Sequence, residues 1–252
     1  MTESVWIFYR QTQVNPAAVD QNHAIPSTSL IGRLTSGVAE MVKPAGLEAV
    51  YLYQPIDYEH PAFADGPAPD AVLRLVLAQT EALGDWLGTD SFEQLLLSEP
   101  AGYCQPSAAV YADAHAARLA VSTSGNQDQS VAEQVSFLVR YFAPISAEAQ
   151  FQQAYIRSHV PILARFPAIR GVYAGLPVDH MTPSRSPFAT SEIRLLNEVV
   201  FDDVSALDQA LASPVMDALR QDSARLPPCA GNAHHAMRRQ TLFLKPVSDP
   251  AG

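Results

Sequence analysis

His159 stands four residues after Tyr155 in the run FQQAYIRSHVPILARF, residues 151–166. On a helix that spacing sets a phenol and an imidazole on one face. An imidazole titrates near neutral pH, so it can take a proton from carbon or oxygen and return it elsewhere. A tyrosine beside it can orient the ring or donate to a developing oxyanion. Pro161 removes a backbone N–H just beyond and is expected to open the helix there. The plain alternative is a helix histidine bonded to a neighbouring carbonyl, with a structural role only.

The other chemistry-bearing residues are more scattered. His234 and His235 precede an expected last strand, His235 to Leu244. Adjacent strand residues face opposite ways, so at most one of the two enters a given pocket. His235 is the candidate for a second acid/base group, with a solvated loop pair as the alternative. Glu198 and Arg74 sit within NEVVF and LRLVL. They either pair as ions between two halves of the chain, or one lines a pocket, or both strands are exposed edges. Arg157 and Arg140 are candidates to hold a substrate carboxylate. Tyr173, like Tyr51, Tyr53 and Tyr111, belongs either to sheet packing or to a ligand wall. No HxxxH or paired carboxylate–histidine spacing marks a metal site. The segment Ala62-Phe63-Ala64-Asp65-Gly66 approaches a GxxDG haem motif but lacks its first glycine. No flavin or phosphate loop is visible, and the expectation is a protein without cofactor or metal.

Elements able to position these residues recur in two halves. Val5–Tyr9 and Val135–Phe142 are β-branched and aromatic opening strands. Between them STSGNQDQS, 122–130, has linker composition. Tyr9 and Tyr141 are 132 residues apart, Tyr51 and Tyr173 are 122 apart, and the block Leu73–Leu95 matches Asn197–Leu219 at 124. Each half is expected to run strand, helix, strand, Pro-rich loop, strand, helix, strand. In the second half Ser146 caps the first helix, a strand follows near Ile169–Ala174, and Glu192–Phe201 forms the third strand. Asp202 or Asp203 caps the next helix, and Ser213-Pro214 restarts a further turn. This is βαββαβ, the ferredoxin-like unit. Its strands are apolar on both faces, where an open sheet alternates toward polar. The fold class is therefore α+β, with two tandem ferredoxin-like units packed sheet to sheet as a barrel within one chain. The expected division is 1–121, a linker 122–133, and 134–252.

Composition sets the outer bounds. Of 252 residues 48% are hydrophobic and 17% charged, with a formal net charge of −10 and a pI near 5.0. Such a surface disfavours nucleic acid and anionic membranes as partners, since both need a basic patch. Cys104 and Cys229 fall in no CxxC pair, which suits two free thiols in a reducing cytoplasm. No basic n-region precedes an apolar stretch, and no segment approaches the ~18 apolar residues of a membrane span. The expected partner is a small-molecule ligand, and the chain is expected to be a monomer or a homo-oligomer.

Residues 151–175, FQQAYIRSHVPILARFPAIRGVYAG, resemble the motif of the EthD-like family of dimeric α+β barrel proteins. That motif has an aromatic-rich helix, then His, a small residue, Pro and an aliphatic, then a Pro-containing turn into the second strand. The resemblance covers roughly residues 134–244. The first half shares the pattern of elements but not the motif, and Gly37 occupies the position aligned with His159. The resemblance implies a pocket between helices and sheet. The family includes lactone isomerases and small proteins attached to degradation or polyketide pathways, and it implies no single reaction. The leading expectation is a cofactor-independent isomerase- or lyase-type enzyme acting on a small apolar organic acid, lactone or aromatic. His159 would shuttle the proton, assisted by Tyr155. The rival is a non-catalytic binding or pathway-accessory protein using the same pocket.

Overall fold

A computed structural model describes residues 3–9, 27–41, 43, 46–58, 60, 63, 65–78, 107–118, 133–177, 189–190 and 192–246. The expected linker up to residue 132, Cys104 and the repeat block beyond Ala78 lie outside the described residues.

Strand follows from runs such as VWIFY, LEAVYLYQ and SFLVRYF, whose β-branched and aromatic residues fit a pleated surface. In chain order the described elements are β1 (Glu3–Tyr9), α1 (Ser27–Glu40), β2 (Leu47–Pro55), β3 (Ala71–Leu77), β4 (Ser107–Arg118) and β5 (Gln134–Ile145). There follow α2 (Glu148–Ala154), a π-turn (Tyr155–His159), α3 (Val160–Leu163), β6 (Gly171–Pro177) and the short β7 (Ala189–Thr190). The last are β8 (Ile193–Phe201), α4 (Val204–Leu211), α5 (Val215–Ser223) and β9 (Cys229–Leu244).

The first four strands pair in the order β4-β1-β3-β2, and the later ones in the order β9-β5-β8-β6, all antiparallel. Arg74 of β3 lies opposite Trp6 and Tyr51, and Glu198 of β8 lies opposite Leu138 and Tyr173. Those registers carry the same 132-, 122- and 124-residue spacings that align the two halves of the sequence. Two antiparallel seams, β2 to β9 and β4 to β6, join the strands edge to edge. Eight strands thus pair in a ring, with β7 added in parallel to β4. The expected sheet-to-sheet barrel takes the form of one continuous ring rather than two sheets with separate edges. Each half would otherwise expose two strand edges with unpaired backbone groups, and the seams satisfy them.

Alternation along each strand divides the core. Val5, Ile7, Val50, Leu52, Leu73 and Leu75 face outward and pack under α1 with Leu30, Leu34 and Val38. Phe137, Val139, Tyr141, Val172, Leu195 and Val199 face outward beneath the helices of the later half. Trp6, Phe8, Tyr51, Tyr53, Leu138 and Met237 fill the barrel interior. Both faces are apolar because one is under helices and the other is inside a ring.

The interior also holds charge. Arg74 Nη1 lies 2.8 Å from Glu198 Oε2, with side chains 2% and 0% exposed. Ser136 Oγ donates to Glu198 Oε1 at 2.6 Å, and Arg74 Nε donates to Ser4 Oγ at 3.2 Å. The Arg74 guanidinium also stacks between Trp6 and Tyr173, 4.9 and 4.6 Å from their ring centres. Of the three alternatives for Glu198, the buried pair between halves is the one found.

Helix starts depart from expectation in places. Asp203 caps α4 by accepting from the Ala206 N–H at 2.8 Å. Ser146 does not cap α2: its hydroxyl donates to the Pro228 carbonyl instead, and Ala147 takes the cap position. Pro214 sits one residue outside α5 as its cap. The last strand begins at Cys229 rather than His235, so both histidines lie inside it.

Candidate functional site

Pro161 shapes the helix that carries His159. Lacking an N–H, it cannot continue the i→i−4 ladder, and its ring crowds the preceding turn. The chain widens there into a π-turn, in which the Val160 N–H donates to Tyr155 O, and α3 restarts with the proline in its first positions. Ser158 Oγ donates back to Ala154 O at 2.8 Å. Single π-turns inside helices recur at functional sites. Tyr155 and His159 stay neighbours across it, their rings 4.5 Å apart.

Both line a cavity of about 430 Å³ between the outer face of the later half's strands and its helices. The walls are mainly rings and aliphatics, with Phe63, Phe137, Tyr141, Phe166, Val199 and Leu219 among them. That volume suits a small organic ligand. Polar groups converge at a few points. His159 Nδ1 lies 2.9 Å from Asp222 Oδ2, with both side chains under a tenth exposed. His234 Nδ1 lies 2.7 Å from Asp65 Oδ2, and the same oxygen accepts from the His234 backbone N–H at 2.8 Å. A carboxylate can only accept, so each pair fixes the proton on Nδ1 of the neutral ring and leaves Nε2 with a basic lone pair.

Burial pushes the His159 pKa below its usual 6.5; Asp222 works against this, and the charge of His234 adds to it. His234 is also lowered, chiefly by burial and against the pull of Asp65. Both rings are therefore neutral around pH 7, the form a base requires. Tyr155 and Tyr141 hydrogen-bond each other, and burial raises both, Tyr141 to about 12. They remain protonated, donors rather than bases. Asn197 is fully buried in the cavity wall; its Nδ2 donates to Tyr173 O at 3.0 Å, while its Oδ1 has no hydrogen-bond partner.

The remaining candidates lie elsewhere. His235 is on the opposite face of β9, where Nδ1 accepts from Arg140 Nη2 at 3.0 Å and Nε2 donates to Gly66 O at 3.2 Å. Both ring nitrogens have partners inside the barrel, which replaces the expectation of a catalytic His235. Arg140 shares that interior, over the rings of Phe8 and Phe142. Tyr173 and Glu198 belong to the interior ion-pair cluster, and Arg157 is exposed on the outer side of the π-turn. None of these four lines the cavity. The expectation of a carboxylate held by Arg157 or Arg140 is corrected accordingly. Arg220, paired with Asp217 at 2.7 Å and exposed, is the cation that does line it.

Asp222, Asp65 and His234 were not singled out as site residues from the sequence. Asp222 falls in α5, 63 residues from its partner. Asp65 arrives from the loop after β2, in the AFADG segment weighed as a haem motif. That loop leaves β9 after Ile56, and its Phe63 ring lies 4.4 Å from His234 and 5.5 Å from Phe137. Tyr58 ties it to α4, its hydroxyl donating to Asp208 Oδ1 at 2.8 Å. Gly66, at φ +73°, takes a turn that L side chains rarely adopt, so Asp65 and Gly66 O reach opposite faces of β9.

No protein-family profile and no curated protein matches the chain. Solved structures do. An anthrone oxidase-like protein aligns over 96% of this chain and 93% of its own, at TM-score 0.62 and 11% identity. A provisionally assigned monooxygenase from Fusobacterium nucleatum subsp. nucleatum aligns over 97% and 93%, at TM-score 0.58 and 12% identity. The chain thus has the ferredoxin-like α+β barrel fold of the dimeric α+β barrel proteins. An EthD family protein from Bacillus halodurans aligns over 40% of this chain and 96% of its own, at TM-score 0.30 and 21% identity. At that score it carries no argument. Among the described residues no helix is long and apolar enough to cross a membrane.

Proposed function

We propose that this protein is a cofactor-independent enzyme that moves protons on a small, largely apolar organic molecule held in the cavity of its later half. The observation that carries this reading is the buried His159–Asp222 pair at 2.9 Å, set in an aromatic-walled cavity. Asp222 holds the imidazole in one tautomer and stabilises the imidazolium once it forms, the role a carboxylate plays beside a catalytic histidine. Nε2 then takes a proton from a carbon next to a carbonyl, and the electron pair moves into that carbonyl to give an enolate. The acidic groups beside the cavity, Asp65 and Asp222, favour a neutral ketone or lactone over a free acid. The names of the two similar structures, an anthrone oxidase-like protein and a monooxygenase, also fit a small-molecule enzyme.

The architecture belongs to the same proposal. Residues 1–121 and 134–252 are tandem copies of one ferredoxin-like unit, the second EthD-like, forming within one chain what such proteins form as dimers. Equal strand orders and the shared register spacings support the duplication.

Exchange of α-protons into D2O, followed by NMR on a panel of bicyclic aryl ketones and lactones, tests the chemistry. The wild-type chain should accelerate exchange, and His159→Gln should lower the rate by about 10²–10⁴-fold. Ligands that bind at the cavity but exchange at the solvent rate with every variant would overturn the enzyme reading and leave a binding protein.

A further inference from the structure

Nothing in the His159 chemistry requires His234, yet the two imidazoles share one cavity and are built alike. Each has Nδ1 against a carboxylate, at 2.9 and 2.7 Å, and each is mostly buried. Each has Nε2 left as the chemically active nitrogen. A histidine that only packs on a strand has no need of a carboxylate delivered from another part of the chain. Here the loop after β2 brings Asp65 across 169 residues of sequence, and closes Phe63 over the same ring.

We propose that His234, held by Asp65, is a second proton-transferring residue of this cavity, so that the site acts on its substrate with two imidazoles. This rests on the reading of His159 as the base. Both rings line the same cavity, and the charge of His234 opposes protonation of His159. Like charges confined together take up protons in two separated steps. Between those steps, below pH 6.5, the pair carries one proton, one ring as base and the other as acid.

The step then balances without an oxidant or reductant. His159 Nε2 takes the proton from carbon, that C–H pair becomes the enolate π bond, and the carbonyl π pair moves to oxygen. The imidazolium of His234 gives its Nε2 proton to that oxygen, and the product is the enol. His159 returns its proton to solvent and His234 takes one up. The charged and titratable groups described around His234 are Asp65 on the loop, Tyr155 and His159 on the π-turn, Asp222 and Arg220 on α5, and Tyr141 on β5. Asp65 alone among them bonds its ring. The earlier half therefore supplies part of the site, and neither half holds it complete.

Two measurements on the full chain test this. In the first, NMR titration of 13C-labelled histidines, assigned with single Gln variants, reads the coupling without any substrate. His234→Gln should raise the pKa of His159, and His159→Gln should raise that of His234. Asp65→Asn, which keeps the loop's shape, should lower the pKa of His234 further. In the second, the pH profile of ketone exchange should be bell-shaped in the wild type and lose one limb in His234→Gln. A positioning role would lower the rate and leave both limbs. Exchange lost in His159→Gln but keeping rate and bell in His234→Gln overturns the second imidazole alone. Unchanged His159 titration in His234→Gln does the same. No exchange by the wild type on any ketone overturns the reading of His159, and this proposal falls with it.

Discussion

Glu198→Gln is the perturbation whose size follows most directly from the coordinates. The carboxylate sits fully buried, 2.8 Å from Arg74 and 3.7 Å from Arg239 Nε, and accepts from Ser136. At an effective dielectric near 20, one pair at the shorter distance is worth about 6 kcal/mol before desolvation. Taking both ions out of water cancels much of that, so the pair adds little net stability compared with an apolar substitute. Removing one partner is different, because the guanidiniums of Arg74 and Arg239 then stay buried without it. The expected loss is about 3–5 kcal/mol. With a urea slope of roughly 2–3 kcal/mol/M, the unfolding midpoint should fall by about 1–2.5 M. Arg74→Met combined with Glu198→Leu should recover only part of the loss, since it removes one buried cation with the anion and leaves Arg239 without that anion, hydrogen-bonded to Gln134. A loss below about 1 kcal/mol for Glu198→Gln, with an unchanged slope, would refute the reasoning: the ring interior would have to admit enough water to solvate both arginines.

Three further outcomes are expected. Both cavity histidines have folded pKa values below their usual 6.5, so the unfolded chain binds protons more readily. Their stability contribution is complete above pH 6.5 and is lost as pH falls below it, by at most about 1.4 kcal/mol per pH unit for each ring; urea melts at pH 7.5, 6 and 5 check the sign. Asp203→Ala removes the α4 cap and should cost about 1 kcal/mol, read in the same melts. Phe63→Ala opens the cavity over His234 and should raise that histidine's pKa toward 6.5 in an NMR titration, because burial is what lowers it.

The order of elements was legible because local physics sets it. Aromatic and β-branched runs form strands, and the Tyr155–His159 spacing survives even through a π-turn. Two-sided apolarity correctly demanded a cover for the second face of each sheet. It pointed to a barrel but not to how the strand edges meet, because two facing sheets and one continuous ring bury the same residues. Only the edges differ, and backbone pairing at an edge leaves no mark on side-chain pattern. The Arg74–Glu198 pair was noticed for the same reason it matters: charge is costly in a strand covered on both faces. The last strand begins six residues before His235, and it is His234 rather than His235 that faces the cavity. The run CAGNAH, with its small and turn-forming residues, resembles a loop, and the ladder with β5 overrides that propensity.

The partners of the two histidines were beyond reach on different grounds. Asp222 is one acidic residue among several on an amphipathic helix, and its inward turn depends on where α5 packs. Asp65 could be found only by knowing that a loop of one half lies on the other. That crossing follows from the seam: β2 stays with β9 to Pro55, opposite Met237, with one further bond from the Ile56 N–H to Ala236 O, and the chain then leaves along the same strand. Past Ile56 the Asp65 carboxylate takes the His234 N–H in place of a further backbone partner. On the proposed duplication this explains why the halves differ. Gly37 stands where the later half has His159, and the face of α1 is packed with Leu30, Leu34 and Val38. The earlier half contributes a wall, Phe63, and a carboxylate, Asp65, to its neighbour's cavity, something two identical subunits would have to do twice or not at all.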